Sequence, residues 1–347
     1  MRGMEGEAAP GPFPAGRRRP TIQDVANEAG VSKGLVSMVL SGSPGPSAGT
    51  RERVAAIADR LGYRSNRTAA LLARRRTRLL GVTVIPSSSY HGELVEEIQV
   101  AAAASGYEIV LSSISGSHDE RRSIETLVGF RCEALLLLGP AMPDDLLAPI
   151  IDAVPTVVVG RPVRLSDVDV VRADDRRGVT AAVDHLVALG HRRIAHLDGG
   201  PGVIASERRR AYRRAAQRHG VPEVVLPGGL TEVDGASALD ELPADSGVTA
   251  VVAFNDRTAV GVLDRLERAG AGAPGQVSVT GFDDSLIARH ARIDLTSVSQ
   301  EHLEQARLAV RLALERLDGG RRDRREIVLP TRLVVRGSTR PAPRPRQ

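Results

Sequence analysis

Apolar positions along this chain change rhythm once, and sharply. Between Thr21 and Gly62 they recur every three or four residues in three short bursts, the spacing that gathers one side of a helix. Thr21 with Asp24 three residues on forms a capping-box pattern ahead of a helix over Ile22–Ala29. Gly30-Val31-Ser32 breaks that helix, and Ser32 can cap a second over Lys33–Leu40. After a Gly/Pro/Ser loop, Ser47 caps a third over Ala48–Leu61. From Leu79 on, short β-branched runs alternate with amphipathic stretches. Strands are expected at 79–85, 107–114, 134–139, 156–160, 193–198, 250–255 and 276–282, with helices such as 93–105, 177–189, 207–219 and 257–269 between them. Apolar strands joined by crossover helices imply parallel sheets covered on both faces. The alternation is too long for one small sheet, so two stacked α/β lobes with a cleft between them are expected.

Composition narrows the setting. The longest apolar runs, 134–139 and 250–254, fall far short of the roughly 18–20 residues a membrane helix needs. The first 19 residues are rich in Pro, Gly and Ala without an apolar centre. They read as a disordered arm rather than a secretory leader. The single cysteine, Cys132, cannot form an internal disulfide, which fits a reducing cytoplasm. Net charge is +5, yet residues 17–78 alone hold 13 basic and 4 acidic side chains. All the excess positive charge therefore sits in one short segment, and from Leu79 on the balance is slightly acidic. Such a footprint points to nucleic acid.

Two short helices joined by a turn containing glycine make a helix-turn-helix, whose second helix enters the major groove. Val25, Ala26, Ala29, Val31, Val36, Val39 and Leu40 would form its small core, leaving Lys33, Gly34, Ser37 and Met38 outward. Lysine can donate to a guanine edge and methionine can touch a thymine methyl. Thr21, Ser32, Ser47 and Thr50 are placed to hydrogen-bond phosphates, which position the module without reading sequence. Next comes a stretch from Asn66 to Arg76 that is a good helix sequence, offers no broad apolar face and ends in an arginine cluster. Alone it is marginal in water. Held against phosphates it could order and wedge Leu71 or Leu72 into a base step; otherwise it is a basic linker.

These residues resemble one family. Thr21-Ile22-Gln23-Asp24-Val25-Ala26, Glu28-Ala29-Gly30-Val31-Ser32, Val36-Ser37, Ser47, Thr50-Arg51-Glu52-Arg53-Val54, Leu61-Gly62-Tyr63 and Asn66-Arg67 are similar to the headpiece of the lactose-repressor (LacI/GalR) family. Leu189-Gly190-His191, Phe254-Asn255-Asp256 and Gly281-Phe282-Asp283-Asp284 follow in that family's order, so the resemblance spans residues 20–338. It implies a homodimer on a pseudo-palindromic double-stranded operator, with Tyr63, Asn66 and Ala69 among the DNA contacts and Leu72 as the leucine pushed into the central step. It also implies a sensor with the fold of periplasmic sugar-binding proteins, taking a small, carbohydrate-like effector. The division expected is a disordered arm at 1–19, a helix-turn-helix headpiece at 20–65 and a hinge at 66–78. An effector-binding and dimerisation domain at 79–339 and a disordered tail at 340–347 complete it. Departures fall where specificity is set: Leu35 stands where the family usually has threonine, and Met38 where it often has arginine. Operator sequence therefore cannot be copied from relatives.

In a two-lobed α/β body the ligand lies beyond the carboxyl ends of the strands. Tyr90, His91, Arg161, Arg208, Asn255 and Asp283 stand there. The resemblance assigns Arg208 to the ligand, with Asn255 and Asp283 facing it; a guanidinium, a carboxylate and an amide suit neighbouring hydroxyls. Enzyme readings fare worse. Gly45-Pro46-Ser47-Ala48-Gly49 has the hydrolase spacing but lies between helices, not at a strand-to-helix elbow. Gly200-Pro201-Gly202 with Ala205 follows a strand, the serious alternative, a dinucleotide site. It comes late among the strands, without an acidic residue ending a strand about 20 residues on. His185, His191 and His196 do not obviously converge on a metal, and Cys132 has no base beside it. No cofactor and no metal are expected.

Overall fold

The computed structural model describes residues 20–40, 44–63, 76–242, 246–270, 277–319, 321 and 323–343. The chain divides into two compact units, one ending at Thr77 and one beginning at Arg78. In the first, α1 (Ile22–Ala29), α2 (Lys33–Leu40) and α3 (Ala48–Leu61) close on a core of Val25, Ala26, Ala29, Val36, Val54, Ile57 and Ala58. Val31, Val39 and Leu40 pack against that core half-buried. The Thr21–Asp24 capping box is formed, and Gly30 ends α1 at φ 63°, a left-handed cap that costs glycine nothing. Most of the hinge sequence, including Asn66, Ala69 and Leu72, lies outside the described residues.

The second unit holds two six-stranded sheets, each with helices on both faces. Lobe 1 is built from β1 (Leu79–Val84), α4 (Ser89–Ala104), β2 (Glu108–Ser113), α5 (Glu120–Gly129), β3 (Ala134–Leu138), α6 (Asp144–Ala153), β4 (Thr156–Val159) and β5 (Asp169–Ala173). The chain then crosses into lobe 2 through α7 (Asp175–Ala188), β6 (Ile194–Asp198), α8 (Val203–His219), β7 (Val225–Pro227) and α9 (Glu232–Ala238). Lobe 2 continues with β8 (Ala250–Val252), α10 (Asp256–Arg268), β9 (Ser278–Asp283) and β10 (Thr296–Ser299). Helix α11 (His302–Gly319) returns to lobe 1 beside α4; β11 (Glu326–Leu329) adds to the first sheet and β12 (Arg332–Val334) to the second. The orders are β11-β5-β4-β3-β1-β2 and β12-β10-β9-β8-β6-β7, parallel throughout except that β12 runs antiparallel to β10.

Three connections thus link the lobes, and they are tied to one another. The Asp174 amide donates to the Leu329 carbonyl at 2.9 Å, and the Thr331 hydroxyl donates to the Asp174 carbonyl at 3.1 Å. Arg332 Nε donates to Glu301 Oε1 at 2.9 Å. Hydrogen bonds thus join the third connection to each of the other two.

The structure adds five strands to the seven expected. Segments such as Asp-Val-Val-Arg-Ala in β5 and Thr-Ser-Val-Ser in β10 are short and carry polar residues, so neither a continuous apolar run nor a clean alternation marks them. Helix α4 begins at Ser89, four residues before the position expected. Ser88 caps it by accepting the His91 amide at 3.2 Å, which carries Tyr90 and His91 into the first turn. Among the described residues no helix is long and apolar enough to cross a membrane.

His196 is fully buried in lobe 2, stacked on Tyr212 with centroids 5.2 Å apart, its Nδ1–H donating to the Val252 carbonyl at 2.9 Å. Burial holds its pKa down at about 4 against an ordinary 6.5. The unfolded chain therefore takes up a proton before the folded one does as pH falls. This share of stability is complete above pH 6.5 and is lost between about 6.5 and 4. We expect His196→Phe to flatten that loss, by on the order of 1–3 kcal/mol, in chemical denaturation at pH 7.5 and 5; equal pH sensitivity in both proteins would refute it.

Candidate functional site

One cation organises lobe 2. Arg208, on α8, is 4% exposed, and its guanidinium lies 3.5 Å from the centroid of the Phe282 ring and 4.7 Å from that of Phe254. Nε donates to Asp175 Oδ1 at 2.7 Å and Nη1 to the Phe254 carbonyl at 2.7 Å. Backbone packing makes room for the two rings. A Cβ on Gly178 would stand 2.8 Å from Phe282, and one on Gly199 would stand 2.5 Å from Phe254. Arg208 Nη2 makes no hydrogen bond among the described residues, nor is it sealed from solvent. Burial raises the Asp175 carboxyl above its ordinary range, and Arg208 opposes that rise.

Asp283 closes β9 at φ 119°, a backbone setting that side chains rarely adopt. Its Oδ1 accepts from Gln300 Nε2 at 2.6 Å. Burial and the neighbouring charge of Asp256 push its carboxyl well above the usual carboxylate range. Asp256, wholly buried, accepts from the Ser285 amide and hydroxyl at 2.8 Å and from the Ser297 hydroxyl at 2.5 Å; burial raises it to about 7.

From lobe 1, Tyr90 brings a buried hydroxyl that has no hydrogen-bond partner among the described residues. The charges of Asp283, Arg208 and Asp175 all act on it, so the four groups lie near one another across the two lobes. His91 lies beside it. Its Nδ1 accepts the Ile85 amide at 3.2 Å, which fixes the neutral tautomer with hydrogen on Nε2, and burial lowers its pKa to about 4.

Three of the six expected ligand residues, Tyr90, Arg208 and Asp283, are thus brought together, with His91 next to Tyr90. Arg161 and Asn255 are engaged elsewhere. Arg161 Nη1 donates to Asp144 at 2.9 Å and Nη2 to the Met142 carbonyl at 2.7 Å, partners that all lie within lobe 1. Asn255 caps α10, accepting the Thr258 amide at 2.8 Å and donating to the Leu230 carbonyl at 3.2 Å. Sequence reasoning missed Asp175 and Gln300. Each follows one of the weakly patterned strands, β5 and β10, and the polar residue at such a strand end was the available signal.

In the first unit Lys33, Gly34, Ser37 and Met38 are exposed along α2. Ser32 Oγ accepts the Leu35 amide at 3.2 Å, and the hydroxyls of Thr21 and Ser47 cap α1 and α3. Tyr63 is half-buried against the small core and Thr50 pairs with Ser47 at 2.9 Å. Ser47 is therefore a helix cap rather than a nucleophile on an elbow. His185, His191 and His196 bond separately, to Thr339, to Thr249 with Ser278, and to Val252. Burial pushes the Cys132 thiol up to about 11, so it stays protonated.

Residues 21–66 match the family model described as bacterial regulatory proteins, lacI family, and residues 183–339 the periplasmic binding protein-like domain. The HTH-type transcriptional regulator CelR of Thermobifida fusca is 34% identical over 337 residues, covering 93% of this chain and 99% of that protein. Among solved structures, a LacI transcriptional regulator from a Rhodococcus species is 42% identical with TM-score 0.73 over 76% of this chain and 98% of its own. A CelR–cellobiose complex is 33% identical with TM-score 0.68, over 92% and 100%. The lac repressor dimer bound to operator and the anti-inducer ONPF is 27% identical with TM-score 0.74, over 93% and 100%.

Removing one member of the Arg208–Asp175 pair leaves a buried charge uncompensated. We expect Asp175→Leu or Arg208→Leu alone to cost about 3–5 kcal/mol, and the double replacement markedly less than their sum. A denaturation cycle that proves additive would show that the two side chains do not depend on each other.

Proposed function

The chain belongs to the lacI family of bacterial regulatory proteins, and from that membership we propose that it is a cytoplasmic, homodimeric repressor whose grip on operator DNA is switched by a sugar or sugar derivative between the two lobes. It is a sequence-specific DNA-binding regulator, not an enzyme. The observation that carries the ligand reading is the nearness of Tyr90 of lobe 1 to Arg208 and Asp283 of lobe 2, whose charges act on its hydroxyl. The cleft offers a guanidinium edge, a tyrosine hydroxyl, an imidazole Nε2–H and a carboxyl held toward its protonated form. Such a set recognises hydroxyls, which donate and accept together, and presents little net charge to an ionic ligand. Cellobiose bound to CelR supports the class.

A ligand acts by its difference in affinity for two lobe arrangements. The hinged crossovers supply the arrangements; the headpiece at 20–65 and hinge at 66–78 supply the response. On the operator, Lys33, Gly34, Ser37 and Met38 present the α2 surface to base edges. Thr21, Ser32, Ser47 and Thr50 position it on phosphates. Tyr63, Asn66, Ala69 and Leu72 complete the interface through an ordered hinge. Arg161 and Asn255 are further candidates to contact the ligand. The body at 79–339 also carries dimerisation, matching a palindromic site.

Two measurements test this. With a panel of mono- and disaccharides including cellobiose, one sugar should raise the midpoint of thermal unfolding and change operator affinity. At a temperature where the destabilised variant is still folded, Arg208→Ala should bind operator about as the parent does without sugar, yet need a hundredfold or so more sugar to respond, roughly 2–3 kcal/mol of lost contact. A normal response in Arg208→Ala would move the ligand elsewhere. Leu72→Ala should weaken specific binding by about 1 kcal/mol or more while leaving random DNA unaffected. An unchanged ratio of specific to random affinity would leave the hinge a basic linker.

A further inference from the structure

A charged contact joins the lobes beside the crossovers, away from the side chains that converge in the cleft. Glu93, on α4 of lobe 1, is 7% exposed, and its Oε1 accepts the Leu286 amide of lobe 2 at 2.7 Å. Its Oε2 lies 3.2 Å from Arg289 Nη2, also in lobe 2, and 3.7 Å from His302 Nε2 at the start of α11. The same Arg289 Nη2 donates to the Asp284 carbonyl at 2.5 Å. Asp284, at φ 51°, and Asp283, at φ 119°, form two successive non-glycine residues in rarely occupied backbone, a turn that persists only where its surroundings hold it. Arg336, at 2.6 Å from the Asp284 carboxylate, and the Ser297 hydroxyl, at 3.0 Å from its amide, hold it within lobe 2. From lobe 1, Glu93 reaches it indirectly, through Arg289 and the Leu286 amide.

We propose that Glu93 is an interlobe clasp: one buried carboxylate that pins the strained Asp283–Asp284 turn of lobe 2 to α4 and so sets the opening of the cleft. Placement gives it leverage. Tyr90 and Glu93 stand three residues apart on α4, hence on one helix face. Across the cleft, Asp283 stands three residues before Leu286. A molecule that moves Tyr90 relative to Asp283 must also strain the Glu93 contacts. The clasp therefore resists any other lobe arrangement, and its loss releases one. That coupling to ligand rests on the cleft reading above; the clasp itself does not.

The test is made with neither sugar nor DNA, so its result is independent of where a ligand binds. Spin labels on Val128→Cys in α5 and Gln217→Cys in α8, both exposed positions, report the lobe-to-lobe distance in full-length chain diluted with excess unlabelled partner. The parent should give one narrow distribution. In Glu93→Ala it should shift or broaden by more than about 2 Å. Glu93→Gln, which keeps an acceptor for the Leu286 amide, should fall between the two. Arg289→Gln should loosen the lobes while leaving that amide bond in place. A distribution in Glu93→Ala superimposable on the parent overturns the clasp. If Glu93→Ala does not fold, unchanged distances in both Glu93→Gln and Arg289→Gln overturn it equally.

Discussion

A guanidinium cannot be left charged and unsolvated in a protein interior, and lobe 2 is arranged around that constraint at Arg208. One carboxylate, one carbonyl and two aromatic faces replace water around it. Each replacement imposes a condition on another element. Asp175 must sit on the first turn of α7, immediately after the first crossover. Phe254, just past β8, gives its carbonyl to Arg208, and its ring packs where a side chain on Gly199 would stand. Phe282 must lie under α7, which requires one at Gly178. Strand ends, a helix start and two close approaches are therefore fixed by one buried charge.

The same charge connects structure to switching. Asp175 follows the β5–α7 crossover, and Gln300, which holds Asp283, lies in the β10–α11 crossover. Two of the groups near Arg208 and Asp283 are thus carried on the segments that connect the lobes. On the proposed reading, a ligand bridging Tyr90 on one side and Arg208 with Asp283 on the other would act on residues near the interlobe connections, with no long relay required. Buried carboxyls at Asp256 and Asp283, both raised by burial, the first also by Asp284 and the second by Asp256, keep that region poor in net negative charge.

The DNA-reading unit follows different physics. Its core is seven buried side chains, none larger than isoleucine, which suffices to hold three short helices but leaves most of its surface in water. The excess positive charge lies in the sequence flanking those helices, while the larger unit carries most of the apolar burial. Phosphate attraction and ligand recognition are thereby kept on separate modules, each stable for its own reason.

Local signals in the sequence determined the headpiece. Capping by Thr21, Ser32 and Ser47, the break at Gly30 and helical periodicity act over a few residues, and no distant contact competes with them. The long apolar strands and the two-lobed class were legible for the same reason: β3 and β4 are buried throughout and advertise it. The resemblance in ordered motifs singled out Arg208 and Asp283. Only tertiary structure decided the rest. Strands β5, β10, β11 and β12 are specified by the neighbours they pair with, not by their own pattern, so the crossovers and the residues on them, Asp175 and Gln300, were invisible. Arg161 and Asn255 stand at strand ends as ligand residues would, yet packing spends them on Asp144, Met142, Thr258 and Leu230. Which polar side chain faces a cleft depends on competing partners far away in sequence, and one-dimensional spacing carries no record of that competition.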